Sequence, residues 1–294
     1  MNAKARLQAI SAAVLFSTGG AAIKVAAFTA PQVSVLRSGI AAIALLLLVR
    51  RRASWSLPAV LIGFVYAATL TLFVISTKLT TAANAIFLQS TASLYILALA
   101  PRILHEPTHR RDLVFMVAIA AGLVCCFLGQ PAATTTAPDP VTGNVIGVIC
   151  SVAWALTLLS LRWAERREEQ RGIGLTAVIA GNLLAALVSL PFALPLPQAS
   201  AGEWATMVYL GVFQIGLAYV FLTTAMRHLP ALEVSLLLLL EPVLNPTWTW
   251  LVRGERPGTW TIVGGAVIVL ATAIKTISDA LPLRPKHFVA TPHI

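Results

Sequence analysis

Charge is scarce in this chain, and negative charge is scarcest. Only 11% of its 294 residues are Asp, Glu, Lys or Arg, with 11 acidic against 21 basic. A soluble domain usually carries about 25% charged residues. With 58% hydrophobic residues and a mean hydropathy of +0.84, too little polar surface exists to coat a globule in water. Lipid must solvate much of the chain. Cysteine is also sparse: Cys125, Cys126 and Cys150 all lie in apolar runs without zinc-type spacing, which argues against a disulfide framework. No G-x-x-x-x-G-K-[ST] loop occurs, so this chain does not read as an ATP-driven pump. A net charge of +10 would suggest nucleic acid in a soluble protein, but in a membrane protein it reports topology.

What is present is a succession of long apolar runs, approximately 8–28, 32–49, 57–77, 82–103, 112–130, 142–162, 172–194, 204–226, 231–252 and 258–277. About 20 apolar residues span a hydrocarbon core of about 30 Å as a helix. Lipid offers the backbone no hydrogen bonds, which favours helices over isolated strands. The expectation is an all-α integral membrane protein with ten transmembrane helices and no large soluble domain. The basic start, Lys4 and Arg6 before an apolar run, mimics a secretion signal. It is read as a retained first span because the run is long and has a counterpart later. The longest linker is 130–143, and 278–294 is a polar tail.

With a cytoplasmic N-terminus, 16 of the 21 basic residues fall on the inside; the other five are Lys24, Arg37, Lys78, Arg253 and Arg256. That asymmetry supports an even number of spans in an inner (plasma) membrane with both termini cytoplasmic.

The two halves also resemble each other. A shift of 149 positions aligns Lys78 with Arg227, Ala82 with Ala231 and Glu106 with Glu255. A shift of 138 aligns Phe16 with Trp154 and Lys24 with Arg162. Each half, 1–137 and 138–277, would hold five spans. An odd number inverts the second copy, and inverted repeats characterise secondary transporters whose substrate sits near the midplane. Chance similarity between Ala/Leu-rich helices is the alternative.

Particular motifs carry a family resemblance. Tyr209 through Tyr219, Ala231 through Leu240, Glu241-Pro242, Arg253-Gly254-Glu255 and Gly264-Gly265, with Phe16 to Lys24 and Arg37 earlier, resemble EamA-type transporters of the drug/metabolite transporter superfamily. Within it the chain is most similar to YddG-type exporters of aromatic and other neutral amino acids. The resemblance implies ten helices in two inverted repeats, a small-molecule substrate, no cofactor and no nucleic acid. A monomer is compatible with it.

Glu241 lies near the middle of a span, with Pro242 beside it and Pro246 one turn on. A carboxylate there is costly and defaults to a functional reading. Proton coupling and substrate binding are the functional alternatives, and a protonated acid bonded to a neighbouring helix is the structural one. The prolines remove backbone donors and predict a kink. Arg37 could reach a substrate carboxylate or Glu241, but snorkelling to the interface is the plainer expectation. Lys24 and Lys78 read as interfacial anchors. Phe16, Ser17, Thr18, Tyr66, Gln89, Tyr95, Trp154, Gln214, Tyr219, Asn245 and Trp248 supply rings and polar handles for an apolar pocket. Interfacial belt positions are the alternative for the tryptophans and tyrosines.

His105-Glu106-Pro107-Thr108-His109 spells H-E-x-x-H, which in zinc proteases needs a continuous helix. Pro107 opposes that helix, leaving a membrane-embedded metalloprotease as a remote alternative. No enzyme activity and no bound metal are expected. Span 1 lacks the acidic residue used by small multidrug transporters of the superfamily. Facilitated export is therefore preferred to a proton-coupled multidrug or other metabolite exporter.

Overall fold

The computed structural model describes residues 3–49, 54–103, 110–128, 133–165, 172–229, 234, 237–238 and 240–280. Every regular element among them is helical; Thr134 and Ala137 form one isolated bridge within a turn. In chain order the helices are α1 (Ala3–Ser17), α2 (Gly19–Val25), α3 (Ala30–Val49), α4 (Leu57–Leu79), α5 (Ala82–Ser90), α6 (Ala92–Ile103) and α7 (Arg110–Leu128). They continue with α8 (Pro140–Glu165), α9 (Ile173–Ala193), α10 (Ala201–Tyr209), a π-helical segment (Leu210–Leu217), α11 (Ala218–His228), α12 (Leu240–Arg253) and α13 (Thr259–Ala280).

Among the described residues six stretches are long and apolar enough to cross a membrane: Ala3–Val25, Ala30–Leu48, Leu57–Leu79, Pro140–Ala164, Ile173–Ala193 and Ala201–His228. Shorter apolar helices accompany them, so the chain is a multi-pass membrane protein. Leu47, Leu57, Leu187 and Phe192 turn outward and are more than half exposed, as lipid-facing residues should be.

Among the described residues, three apolar runs are not single regular helices. The first breaks at Thr18, whose hydroxyl donates to the Leu15 carbonyl at 2.7 Å. The run 82–103 breaks at Thr91, whose hydroxyl donates to the Leu88 carbonyl at 2.6 Å. Such back-bonding competes with the helical ladder. The run 204–226 carries the π segment, a looser winding often found at functional sites.

α4 lies between α8 and α9; α3 packs on α9 and the π segment; α1 packs on α11 and α12; α5 packs on α8 and α12; α7 pairs with α13. Small residues set these distances, since helices in lipid associate by close packing rather than by a hydrophobic drive. A Cβ on Gly181 would stand 2.8 Å from the Gly63 carbonyl, and one on Gly63 would stand 3.0 Å from the Gly181 amide. The α4–α9 contact therefore requires both glycines.

One end of the bundle is tied by polar contacts. Lys24, read above as an interfacial anchor, is instead buried at 5% exposure. Its ammonium lies 3.5 Å from Glu255 and donates to the Thr80 carbonyl at 2.6 Å and to that of Thr136. Glu255 also accepts from the Ala82 amide at 2.6 Å, at the start of α5. Arg253 donates to the Lys24 carbonyl at 2.8 Å, and Lys78 to that of Ala26 at 2.7 Å. Gly254, at φ +65°, takes the left-handed turn that closes α12 and brings Glu255 back to Lys24. The anchor expectation fails because this carboxylate and these carbonyls, all distant in sequence, converge on Lys24. Outside the spans, the Asp139 carboxylate is held below its ordinary value by hydrogen bonds from Thr142.

Breaking a buried pair strands the remaining charge. Glu255→Gln should lower stability by about 3 kcal/mol, the low end for such losses because Lys24 keeps its carbonyl acceptors. Lys24→Met in the same chain should restore most of it. Chemical denaturation in detergent checks both, and a neutral single variant would refute the pairing.

Candidate functional site

The break at Thr18 is where most of the singled-out residues meet. Ser17 accepts from the Trp248 indole N–H at 3.0 Å, and the Thr18 and Tyr209 hydroxyls share a hydrogen bond at 2.9 Å. These bonds join the α1–α2 junction to α12 and to the end of α10. A pocket of about 400 Å³ opens there, lined by Thr18, Ala21, Ala22, Val25, Ala205, Thr206, Tyr209, Trp248 and Val252. Its wall is mostly apolar with hydroxyl and indole handles, the usual makeup of a small-molecule site. Broken helices mark such sites in transporters, because their free backbone ends line a cavity.

Deeper in the bundle, Tyr219 meets Phe16 edge-to-face at 5.0 Å and Tyr66 at 4.9 Å. Three separate spans thus contribute to one aromatic cluster. Such edge contacts are favourable beyond simple burial. Trp154 packs against the same core. Between this cluster and the pocket lie two buried amides. Gln214, on the π segment, donates to the Phe16 carbonyl at 3.5 Å. Asn245 is fully buried, and neither amide atom has a partner among the described residues. Both press on the glycine pair after the break: a Cβ on Gly19 would stand 2.7 Å from the Gln214 Nε2, and one on Gly20 would overlap the Asn245 amide.

Glu241, in the first turn of α12, has no hydrogen-bond or ion-pair partner among the described residues. Tyr219 is close enough to feel its charge. Trp248 is half-buried and bonded inward, so the belt reading fails for it, whereas Trp250 is exposed. Gln89 and Tyr95, on α5 and α6, are half-buried and form no hydrogen bond to the cluster. The H-E-x-x-H segment lies outside the described residues.

Arg37 corrects the sequence reading most sharply. It does not snorkel: it is 1% exposed and donates to the Leu70 carbonyl at 3.2 Å. On α3 it occupies the face turned towards α4, while Ile43 and Leu47 face lipid. Tyr209 was missed as a site residue, although its place beside Gly211 in a glycine-punctuated apolar run was visible. Nothing in the sequence marked the π geometry that follows it.

In Gly20→Ala the added methyl falls on the Asn245 amide, and overpacking of this kind costs about 1–3 kcal/mol. Asn245→Ala in the same chain should recover most of that loss, because contacting residues couple. Denaturation of all four members of the cycle tests this; additive losses would exclude the contact.

Residues 3–128 and 141–277 match the EamA-like transporter family. The pseudopaline exporters CntI of Pseudomonas aeruginosa strains UCBPP-PA14 and PAO1 are each 32% identical over 132 residues, 43% of this chain. The match spans 44% of those relatives' length, less than half of each. A protein of known crystal structure superposes with a TM-score of 0.66 at 20% identity, over 95% of this chain and 99% of that one. At that identity the similarity speaks to the fold alone. With both segments matched and the helices long and apolar enough to span lipid, this chain belongs to the EamA-like transporter family.

Proposed function

We propose that this transporter exports small metabolites across the bacterial inner membrane, foremost amino acids with aromatic or other neutral side chains, by alternating access between two inverted five-helix repeats, 1–137 and 138–277. Flow is facilitated rather than proton-driven. The observation that carries this reading is the convergence of Phe16, Tyr66 and Tyr219 with Gln214, Asn245, Ser17 and Trp248 around a broken first span. Rings and unpartnered amides together suit a small ligand with an apolar side chain and a polar head. The partial match to exporters of pseudopaline supports export of a small metabolite.

The packing pattern supports the repeat. Exchanging span n with span n + 5 turns the α4–α8 contact into that of α11 with α1, and the α4–α9 contact into that of the π segment with α3. It turns the α5–α8 contact into that of α12 with α2. The α3–α9, α5–α12 and α7–α13 contacts map onto themselves. Two similar halves facing each other can open the cavity first to one side and then to the other. Both termini are placed on the cytoplasmic side, and one chain is sufficient.

One observation favours a second reading. Glu241 has no partner among the described residues, as a proton-coupling or drug-cation carboxylate would require. The family assignment removes the metalloprotease alternative, since members of this family are transporters.

Two measurements test the proposal. Proteoliposomes loaded with labelled phenylalanine should release it down its gradient with or without a proton gradient. Release that demands the proton gradient and is abolished in Glu241→Gln would establish the coupled alternative. In intact cells, single cysteines at Arg110 and Gly254 should label from opposite sides of the membrane; labelling from one side would rule out the inverted repeat.

A further inference from the structure

Arg37 is a charged group in an unusual position. It lies in α3, within a span, and is 1% exposed. A guanidinium offers five donors in a planar fork. The structure supplies this one with a single carbonyl, Leu70, and its Nε has no partner. Neither Arg37 nor Glu241 forms an ion pair among the described residues. Lys24 shows what this fold provides for a buried cation without further duty: a carboxylate and two carbonyls. An intramembrane charge left without an anion is costly and marks a substrate or ion pathway.

The surroundings of Arg37 say what kind of anion is missing. Tyr66 and Tyr219 are close enough to feel its charge. The Tyr66 hydroxyl lies beside Tyr219 and Asn182, and neither it nor the Asn182 Oδ1 has a hydrogen bond of good geometry among the described residues. An anion arriving here would find a guanidinium fork, a phenol and aromatic faces. Planar bidentate pairing favours a carboxylate. Phosphate would call for more converging cations, and no second cation pairs with this cluster among the described residues. Tyr219 adjoins Glu241 as well as Arg37, so the aromatic cluster has a guanidinium and a carboxyl group as neighbours, neither in an ion pair among the described residues.

The π segment lies directly on α3: a Cβ on Gly211 would stand 2.9 Å from the Arg37 carbonyl, so irregular winding of the kind often found at functional sites adjoins this residue.

We propose that Arg37 binds the carboxylate of the transported molecule and that Glu241 receives its ammonium group, so that the site selects zwitterions. This rests on the transport reading above and names the chemical class of the substrate. Selection for a zwitterion follows from leaving both charges unpaired in the empty protein. A ligand lacking either charge leaves one of them buried and uncompensated, which a polar site rejects far more strongly than a missing methylene.

The test uses three probes of one shape: L-phenylalanine, L-phenylalaninamide (no carboxylate) and 3-phenylpropionate (no ammonium). Binding to the purified full chain is read by ligand-induced thermal shift, and transport by competition in proteoliposomes. Wild type should prefer phenylalanine to either analogue by roughly 10- to 100-fold, as expected for lost charge-assisted hydrogen bonds. Arg37→Gln should abolish the preference over the amide while keeping the preference over 3-phenylpropionate. Glu241→Gln should do the reverse. Arg37→Lys should retain partial discrimination, because it keeps the charge but loses the fork.

A merely structural Arg37 would depress all three ligands equally and leave the ratios unchanged, overturning the proposal. If Arg37→Gln does not fold, the wild-type ratios and Arg37→Lys still decide it. Wild type that handles phenylalanine and its amide alike overturns this inference but leaves amino acid export standing. Wild type that ignores every amino acid, yet binds another zwitterionic metabolite in a manner dependent on Arg37 and Glu241, overturns the amino acid reading alone.

Discussion

Inside a bilayer a polar group can be satisfied only by the protein that carries it, and this constraint organises the structure. The helices answer it for the backbone, since each closes its own hydrogen bonds within the hydrocarbon. Side chains answer it by converging from distant parts of the chain. Lys24 collects Glu255 from beyond α12, Thr80 from the end of α4 and Thr136 from the loop before α8. One buried ammonium thereby fixes one end of the bundle. The same requirement explains why Glu255 also takes the Ala82 amide. A helix start near the membrane needs an acceptor for its free N–H groups.

The constraint is left unmet at several places among the described residues; of these, Gln214 and Asn245 press on the glycine pair after the broken first span. The break at Thr18 and the π segment lie in the same region. Elsewhere the bundle is held by glycine contacts of backbone closeness, as between Gly63 and Gly181. In the alternating access proposed above, closely packed helix pairs would flank this irregular seam.

Much of the helix layout was legible because apolar length acts locally. The described helices fall on the expected runs, and the Gly19-Gly20 pair after Phe16 pointed to a close approach. What the sequence could not express is which distant residue answers a given charge. Lys24 and Glu255 are far apart along the chain, so a lysine near a span end looked like an anchor. Arg37 looked able to snorkel because a sequence does not say which face of α3 meets lipid. The α5–α6 break was also hidden, since threonine is common within spans and back-bonds only where packing allows. Gln89 and Tyr95 had the right chemistry, but α5 and α6 carry them without a bond to the Tyr219 cluster.

The contrast between the two acids near these spans carries the argument one step further. Glu255 is matched to Lys24 and fixes structure; Glu241 and Arg37 are left unmatched on either account. Pairing Arg37 permanently with a resident carboxylate would stabilise the empty protein and remove its affinity for an anionic head group. With the Leu70 carbonyl as its acceptor and no carboxylate paired to it among the described residues, Arg37 would, under the proposal, gain stabilisation when a carboxylate enters. A transport site must also release what it binds, so affinity cannot grow without limit. An under-satisfied cation beside neutral rings is thus suited to brief occupancy, and the fully satisfied one at Lys24 to permanence.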